Sequence, residues 1–146
     1  MSLTELEKSG KIKKIPVDKI QIQNLIAVSD RDLKVAKTLL QTNFDWCFIA
    51  SYNCALQISR AFMFSYGYTA DSEGHHKNVV DFVSAIIGED EKITSFDLMR
   101  RKRHNIVYDE TGAISENEAK NYLNFVEDYF SLLKRKITER LLKVRQ

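Results

Sequence analysis

The sequence predicts an all-α fold, an up-and-down bundle of about five helices. Three observations favour it. One proline and five glycines in 146 residues leave few places to break an element. Apolar residues recur at three- and four-residue steps over long stretches, and no stretch of useful length alternates apolar and polar residues as a strand does. A hydrophobic content of 44% with 29% charged residues is ordinary for a single globular domain.

The N-terminal residues 1–16 are polar with a Ser-Gly break, and we expect them to form a loosely packed segment. Residues 17–146 are then expected to form one bundle. Pro16 is suited to the first turn of a helix. The first long helix is predicted over about 17–41, where the apolar positions are Ile20, Ile22, Leu25, Ile26, Leu33, Ala36, Leu39 and Leu40.

The second helix is predicted from Asn43, as its N-cap, to about Tyr66, where Gly67 stops it. Apolar side chains cover nearly its whole circumference, so we expect it at the bundle centre or across an oligomer interface. Its one polar seam consists of Asn53, Gln57 and Arg60. This seam is either the strip of the helix that reaches water or the lining of a groove.

Three more helices follow. A short helix is predicted over His76–Ile87, ended by Gly88, and a fourth is predicted to start near Thr94 as its N-cap. Residues 109–112 then form an acidic turn. Ser115 with Glu118 matches the S-x-x-E capping box and opens a last helix of about thirty residues.

Residues 98–109, LMRRKRHNIVYD, lie on the fourth helix and bring together cations, an imidazole, an amide and a phenol. At about 100° per residue, Arg103 falls inside an apolar arc, and a polar ladder runs along the edge of that arc. The arc consists of Phe96, Met99, Ile106 and Val107, and the ladder of Arg100, His104 and Tyr108. Asn105 points mostly away, with Arg101 and Lys102.

A guanidinium on an apolar stripe must be paired, reach water or face a groove. Two interpretations follow for Arg103. Either it ties neighbouring helices through carboxylates or carbonyl oxygens, or it faces a cleft that holds phosphate or RNA. In the second case His104 and Tyr108 would position a substrate, and His104 would transfer protons near neutral pH.

Several classes of protein are not expected. Cys47 and Cys54 lie seven residues apart on one helix, about 10 Å apart, too far for a disulfide, and are expected to be small buried hydrophobes. The histidines lack the spacing of a zinc finger, so we predict no metal and no cofactor. A net charge of +2 does not by itself indicate nucleic acid.

Two further expectations concern location and the paired histidines. No apolar run approaches the roughly 18 residues of a spanning helix, so we expect a cytoplasmic protein without a membrane partner. His75 and His76 stand at a helix start, where free N–H groups can meet an anion. Adjacent residues point about 100° apart, so we expect them to pack at the helix start rather than share one site.

Two stretches are similar to the HEPN family. WCFIASYNCALQISRAFMFSYGY (46–68) resembles the family's aromatic-rich second helix, with its Tyr-Ala-Ala-Arg-Ala pattern ending at Gly-Tyr. LMRRKRHNIVYD resembles its late-helix Arg-polar-x-x-x-(His or Tyr)-Asp pattern, and the likeness covers roughly residues 17–140. The resemblance implies a homodimer whose Arg motifs meet at a cleft between protomers. It also implies a minimal nucleotidyltransferase partner, because many prokaryotic members form toxin–antitoxin pairs with one.

Toxic members of the family are metal-independent ribonucleases that place a histidine four to six residues after an arginine. Here the fifth residue after Arg103 is Tyr108. A phenol, with an ordinary pKa of about 10, is a poor general base at neutral pH. The candidate catalytic residues are Arg103, His104 and Tyr108. The candidate ligand-binding residues are Arg100, Arg103, His104, Asn105, Tyr108, Asn53, Gln57 and Arg60.

Three hypotheses therefore follow from the sequence. The first is a dimeric module that binds a nucleotide or RNA and acts with a minimal nucleotidyltransferase. The second is a metal-independent endoribonuclease toxin that uses Arg100, Arg103 and His104. The third is a purely structural protein-interaction bundle, in which the basic residues are solvated surface.

Overall fold

A computed structural model describes residues 1–70, 75–108 and 113–144, without the side chains of residues 107, 108 and 144. The described residues form an all-α bundle, as predicted, with one small addition of strand. In chain order the elements are α1 (Leu3–Lys8), β1 (Ile12–Lys14), α2 (Lys19–Leu39), α3 (Phe44–Ser65), β2 (Tyr68–Ala70), α4 (His75–Ile87), α5 (Glu91–Tyr108) and α6 (Glu116–Val144).

Helix α3 is the centre of the bundle, as its apolar circumference predicts, and α2, α4, α5 and α6 all pack against it. It starts where the sequence indicates, because the Asn43 side chain accepts a hydrogen bond from the Trp46 N–H at 2.9 Å. Cys47 and Cys54 are buried and unpaired, in agreement with their predicted role. Burial raises the pKa of the Cys54 thiol to about 12.

The N-terminal segment is more tightly held than we expected from its polar composition. Its apolar residues Leu6 and Ile12 are 0% and 1% exposed. Strand β1 pairs antiparallel with β2, so Ile12 lies opposite Ala70. The expectation of loose packing overlooked this pairing because its partner strand follows α3, far along the chain.

Gly67 joins α3 to β2 in a conformation that disfavours a side chain. Its φ is +77°, and a Cβ there would lie 3.2 Å from the Ile15 carbonyl oxygen. The Ile15 N–H in turn donates to the Gly67 carbonyl at 2.8 Å. A backbone hydrogen bond therefore joins the N-terminal segment to the end of α3 at this point.

Gly67→Ala is expected to lower the free energy of unfolding by about 1–2 kcal/mol, because an L-residue is strained at positive φ. Gly10→Ala is the matched control, since Gly10 has φ +78° and open space around its Cβ position. Urea unfolding followed by circular dichroism should show a larger loss for Gly67→Ala than for Gly10→Ala. An equal loss of unfolding free energy in the two variants would mean that the close contact with the Ile15 carbonyl oxygen does not destabilise Gly67→Ala.

The starts of the later helices agree with the sequence except at α5. The Ser115–Glu118 capping box is confirmed: Glu118 N–H donates to Ser115 Oγ at 3.1 Å, and Ser115 N–H donates to Glu118 Oε1 at 3.3 Å. The predicted N-cap Thr94 is wrong. Asp90 takes that position, accepting from the Lys92 and Ile93 N–H groups at 2.9 and 3.2 Å. The acidic turn at 109–112 lies outside the described residues.

Asp18 rather than Pro16 begins α2, because its carboxylate accepts from the Ile20 and Gln21 N–H groups at 3.0 and 3.2 Å. None of the helices in the described ranges is long and apolar enough to cross a membrane.

Candidate functional site

A cavity of about 690 Å³, here called the basic pocket, lies between the first turn of α4 and the second half of α5. Every described residue that lines it is a cation or a histidine. The lining residues are His75, His76, Lys77, Arg100, Arg101, Arg103 and His104.

Helix α5 places its basic residues here because its core face is locked by apolar contacts. Phe96 and Met99 are 0% exposed and Ile106 is 7% exposed. Arg103 lies on this same arc, as predicted from the helical wheel. Its Nε atom is buried without a hydrogen-bond partner. Its guanidinium carbon lies 5.4 Å from the centroid of the Tyr52 ring, in a cation–π contact.

The cations of the pocket outnumber the described carboxylates that face them. Lys77 Nζ pairs with Asp81 at 2.8 Å. Arg100 and Arg101 share Asp97, at 2.8 and 3.6 Å. Arg103 has no ion pair among the described residues. The two aspartates therefore face four cations, and the pocket carries a positive field.

Lys102, the remaining cation of the basic run, has a structural contact instead. Its Nζ lies 2.7 Å from Glu118 Oε2 and so ties α5 to α6. The four consecutive cations are thus divided: Arg100, Arg101 and Arg103 line the pocket, and Lys102 joins α5 to α6.

Tyr52 and His76 form a hydrogen-bonded pair at the wall of the pocket. Tyr52 is 0% exposed, and its hydroxyl lies 2.9 Å from His76 Nδ1. Burial lowers the pKa of His76 to about 4, and the positive charges of His75, Arg103, Arg100 and Arg60 act in the same direction. Burial raises the pKa of Tyr52. Both side chains are therefore neutral at pH 7.

His75 also lines the pocket, with its ring centroid 5.0 Å from that of His76. Burial lowers its pKa, and the charge of Arg60 adds to the effect. Both histidines thus line one cavity, although we expected them to pack at the helix start rather than share a site. Their bearings do differ by about 100°, but a cavity of this width reaches both side chains.

The structure brings Arg100, Arg103 and His104, three of the candidate residues, together in the basic pocket. Asn105 is exposed and is not among the lining residues. Tyr108 is the last residue of α5, and its side chain lies outside the described residues. The sequence reasoning missed Tyr52 and Lys77 and placed Arg101 outside the site. Tyr52 had no signal of its own, because it is one of many aromatic residues on α3.

The polar seam of α3 leads to a different cavity. Arg60 Nη1 donates to Gln57 Oε1 at 2.8 Å, and its guanidinium lies over the Phe64 ring at 5.5 Å. Arg60 lines a separate cavity of about 430 Å³ between α2 and α3. Asn53 is half-buried and lines neither cavity. Of the three residues of the seam, Arg60 alone affects the basic pocket, because its charge lowers the pKa of His75 and of His76.

The basic pocket offers many hydrogen-bond donors at high positive charge, so it suits an anion with several oxygen atoms. Guanidinium groups pair with phosphate and carboxylate oxygens through charge-assisted hydrogen bonds. A metal cation would meet repulsion there. No three His, Cys, Asp or Glu side chains come together as metal ligands within the described ranges.

The fold and the pocket define an all-α bundle with an open, basic site. A family model described as HEPN domain matches residues 22–136, most of the chain. The protein therefore belongs to the HEPN family. No curated protein is significantly similar to the chain.

Proposed function

We propose that this HEPN protein binds the phosphate groups of a nucleotide or RNA in the basic pocket, without cutting the RNA. The observation that carries the proposal is the buried Nε of Arg103, which has no hydrogen-bond partner. A buried donor without a partner costs about 1–3 kcal/mol, more when it is charged. A phosphate oxygen would supply the missing acceptor.

The size and charge of the pocket support a phosphate ligand. Its volume of about 690 Å³ falls in the range of small-molecule sites, roughly 300–1,000 Å³. The excess of cations over the aspartates that pair with them favours a ligand with more than one negative charge. Exposed ion pairs such as Lys77–Asp81 are weak, so a phosphate can compete with the aspartates for these cations.

We also propose that the protein acts as a homodimer with a minimal nucleotidyltransferase, in a pair of the toxin–antitoxin type. Membership of the HEPN family supports this part of the proposal. Light scattering of the purified protein should then give about twice the chain mass of 16.9 kDa. A nucleotidyltransferase reading frame beside the gene, and co-purification of its product, would test the pairing.

Arg103→Gln is expected to weaken binding of ATP, or of a fluorescently labelled single-stranded RNA, by about tenfold, because one charge-assisted hydrogen bond is lost. Arg31→Gln is the matched control, since Arg31 is exposed, pairs with Asp32 and does not line the pocket. Titration calorimetry for ATP and fluorescence anisotropy for RNA measure the two affinities.

The two ligands give different signatures in this experiment. If RNA is the ligand and four cations contact its phosphates, the logarithm of its affinity should fall with the logarithm of salt concentration with a slope of roughly −3. Equal affinities of Arg103→Gln and wild type for both ligands would contradict the proposal. Binding of neither ligand by wild type would favour the structural bundle.

A ribonuclease is the second candidate, because three imidazoles line the same pocket as Arg100 and Arg103. Incubation of the pure protein with labelled RNA, without added metal, separates it from the binding module. Intact RNA is the expected result. Cleavage by wild type that His104→Ala abolishes would show instead that the protein is a nuclease.

A further inference from the structure

We infer that Tyr52 is a positioning residue that holds His76 as a neutral Nε2–H donor toward the anion in the basic pocket. The inference deepens the proposed phosphate binding and rests on it. It assigns a role to two residues that neither the basic run nor the family patterns of the sequence indicated.

The direction of the Tyr52–His76 hydrogen bond follows from the burial of the phenol. Tyr52 is 0% exposed, so its O–H must find an acceptor within the protein. His76 Nδ1, at 2.9 Å, is its hydrogen-bond partner among the described residues. If Nδ1 carried the proton, the phenol O–H would be left buried without an acceptor. Tyr52 therefore donates, and the imidazole proton is on Nε2.

The surroundings keep His76 neutral. Burial lowers the pKa of His76 most. The neighbouring His75, Arg103 and Arg100 on α5, and Arg60 on α3 lower it further. The phenol keeps its proton because burial raises its pKa. A neutral imidazole beside these cations still offers one N–H donor.

The ring of His76 is oriented by this bond. Its Nδ1 edge is engaged by the buried phenol, and the residue lines the basic pocket. The opposite edge, which carries Nε2–H, is the one left for the cavity. Arg103 lies over the same Tyr52 ring at 5.4 Å. Tyr52 thus supports two donors, one through its hydroxyl and one through its ring face.

This arrangement separates binding from proton transfer. The free lone pair of the His76 ring is on Nδ1, where it already accepts the hydrogen bond from the Tyr52 hydroxyl. His76 is therefore not available as a general base. The Nε2–H can donate to a phosphate oxygen but cannot take a proton from a ribose hydroxyl. His76 therefore serves to bind an anion, whichever ligand carries the phosphate.

The inference is tested by ¹⁵N NMR of the histidine side chains together with Tyr52→Phe. Wild type should show His76 as the Nε2–H tautomer at pH 7, without ligand. Tyr52→Phe keeps the ring beneath Arg103 but removes the hydroxyl, so both tautomers should appear. The affinity for ATP should fall by about threefold, since one oriented donor is lost while the arginines stay.

Tyr129→Phe is the matched control. Tyr129 is also buried, and its hydroxyl lies 2.6 Å from Ser59 Oγ, outside the pocket. It should lose stability as Tyr52→Phe does, yet keep both the His76 tautomer and the ATP affinity of wild type. A fall in affinity as large in this control would show that the loss reflects general destabilisation and would overturn the inference.

A protonated or Nδ1–H His76 in wild type would overturn the inference. The ¹⁵N spectrum of wild type therefore tests the inference even if Tyr52→Phe folds poorly. Unchanged tautomer and affinity in a folded Tyr52→Phe would do the same. Failure of the proposed function looks different. In that case wild type binds no ATP or RNA, or Arg103→Gln has no effect, whatever the tautomer of His76.

Discussion

Phe82→Ala should lower the free energy of unfolding by about 3–5 kcal/mol, the usual cost of removing a buried aromatic ring. Phe82 is 0% exposed on α4. Its ring centroid lies 6.3 Å from that of Phe62, 5.8 Å from Tyr66 and 6.0 Å from Tyr68. It is therefore a residue through which α4 packs on the end of α3 and on β2.

Urea unfolding of Phe82→Ala and of Trp46→Ala provides the comparison. Trp46 is 59% exposed on α3, so its removal should cost less than about 1 kcal/mol. Because α4 also carries His75, His76 and Lys77, phosphate affinity should fall with the loosened helix in Phe82→Ala. A cost near that of Trp46→Ala would mean that other contacts dock α4.

Acid should destabilise the protein through His76 by about 2 kcal/mol between pH 7 and pH 4. The pKa of His76 is about 4 in the folded protein, against an ordinary value of 6.5. Between pH 6.5 and pH 4, His76 is therefore protonated in the unfolded chain but stays neutral in the folded protein. The contribution of His76 to the free energy of unfolding is complete above pH 6.5 and is lost as the pH falls toward 4. The pKa difference corresponds to roughly 3 kcal/mol, reduced here because His76 is partly exposed.

The measurement is the free energy of urea unfolding at several pH values for wild type and His76→Gln. The carboxylates also titrate in this range, so the quantity of interest is the difference between the two curves. His76→Gln should lose less stability on acidification than wild type. A His76→Gln curve parallel to wild type would refute the expectation.

The local features of the fold were predictable because their causes are local. Asn43 and the Ser115–Glu118 pair are caps that act within one helical turn, and the structure confirms both. Thr94 failed as a cap because the helix already begins four residues earlier, where the Asp90 carboxylate accepts from the Lys92 and Ile93 N–H groups.

The packing of the N-terminal segment could not be predicted from local sequence features. A three-residue strand carries almost no signal of its own, and the pairing of Ile12 with Ala70 depends on α2 and α3 folding back between them. Ile12 is part of that pairing, and Leu6 lies on α1, which packs against α4. By composition the segment is polar, and nothing in its composition indicates that its few apolar residues are buried.

The candidate site divides in the same way. The helical repeat was enough to predict that Arg103 would lie on the apolar face of a helix, with Arg100 and His104 beside it. It also carried the likeness to the HEPN family, which the family model confirms.

The residues that face this part of α5 could be learned only from the packing of the folded chain. The first turn of α4, with His75 and His76, and the buried hydroxyl of Tyr52 come from other parts of the chain. Their meeting with α5 depends on how three helices cross and on the buried contacts that hold them, and helical periodicity carries no information about that. The protonation state of His76 also depends on the tertiary structure, because its burial and its charged neighbours exist only in the folded protein.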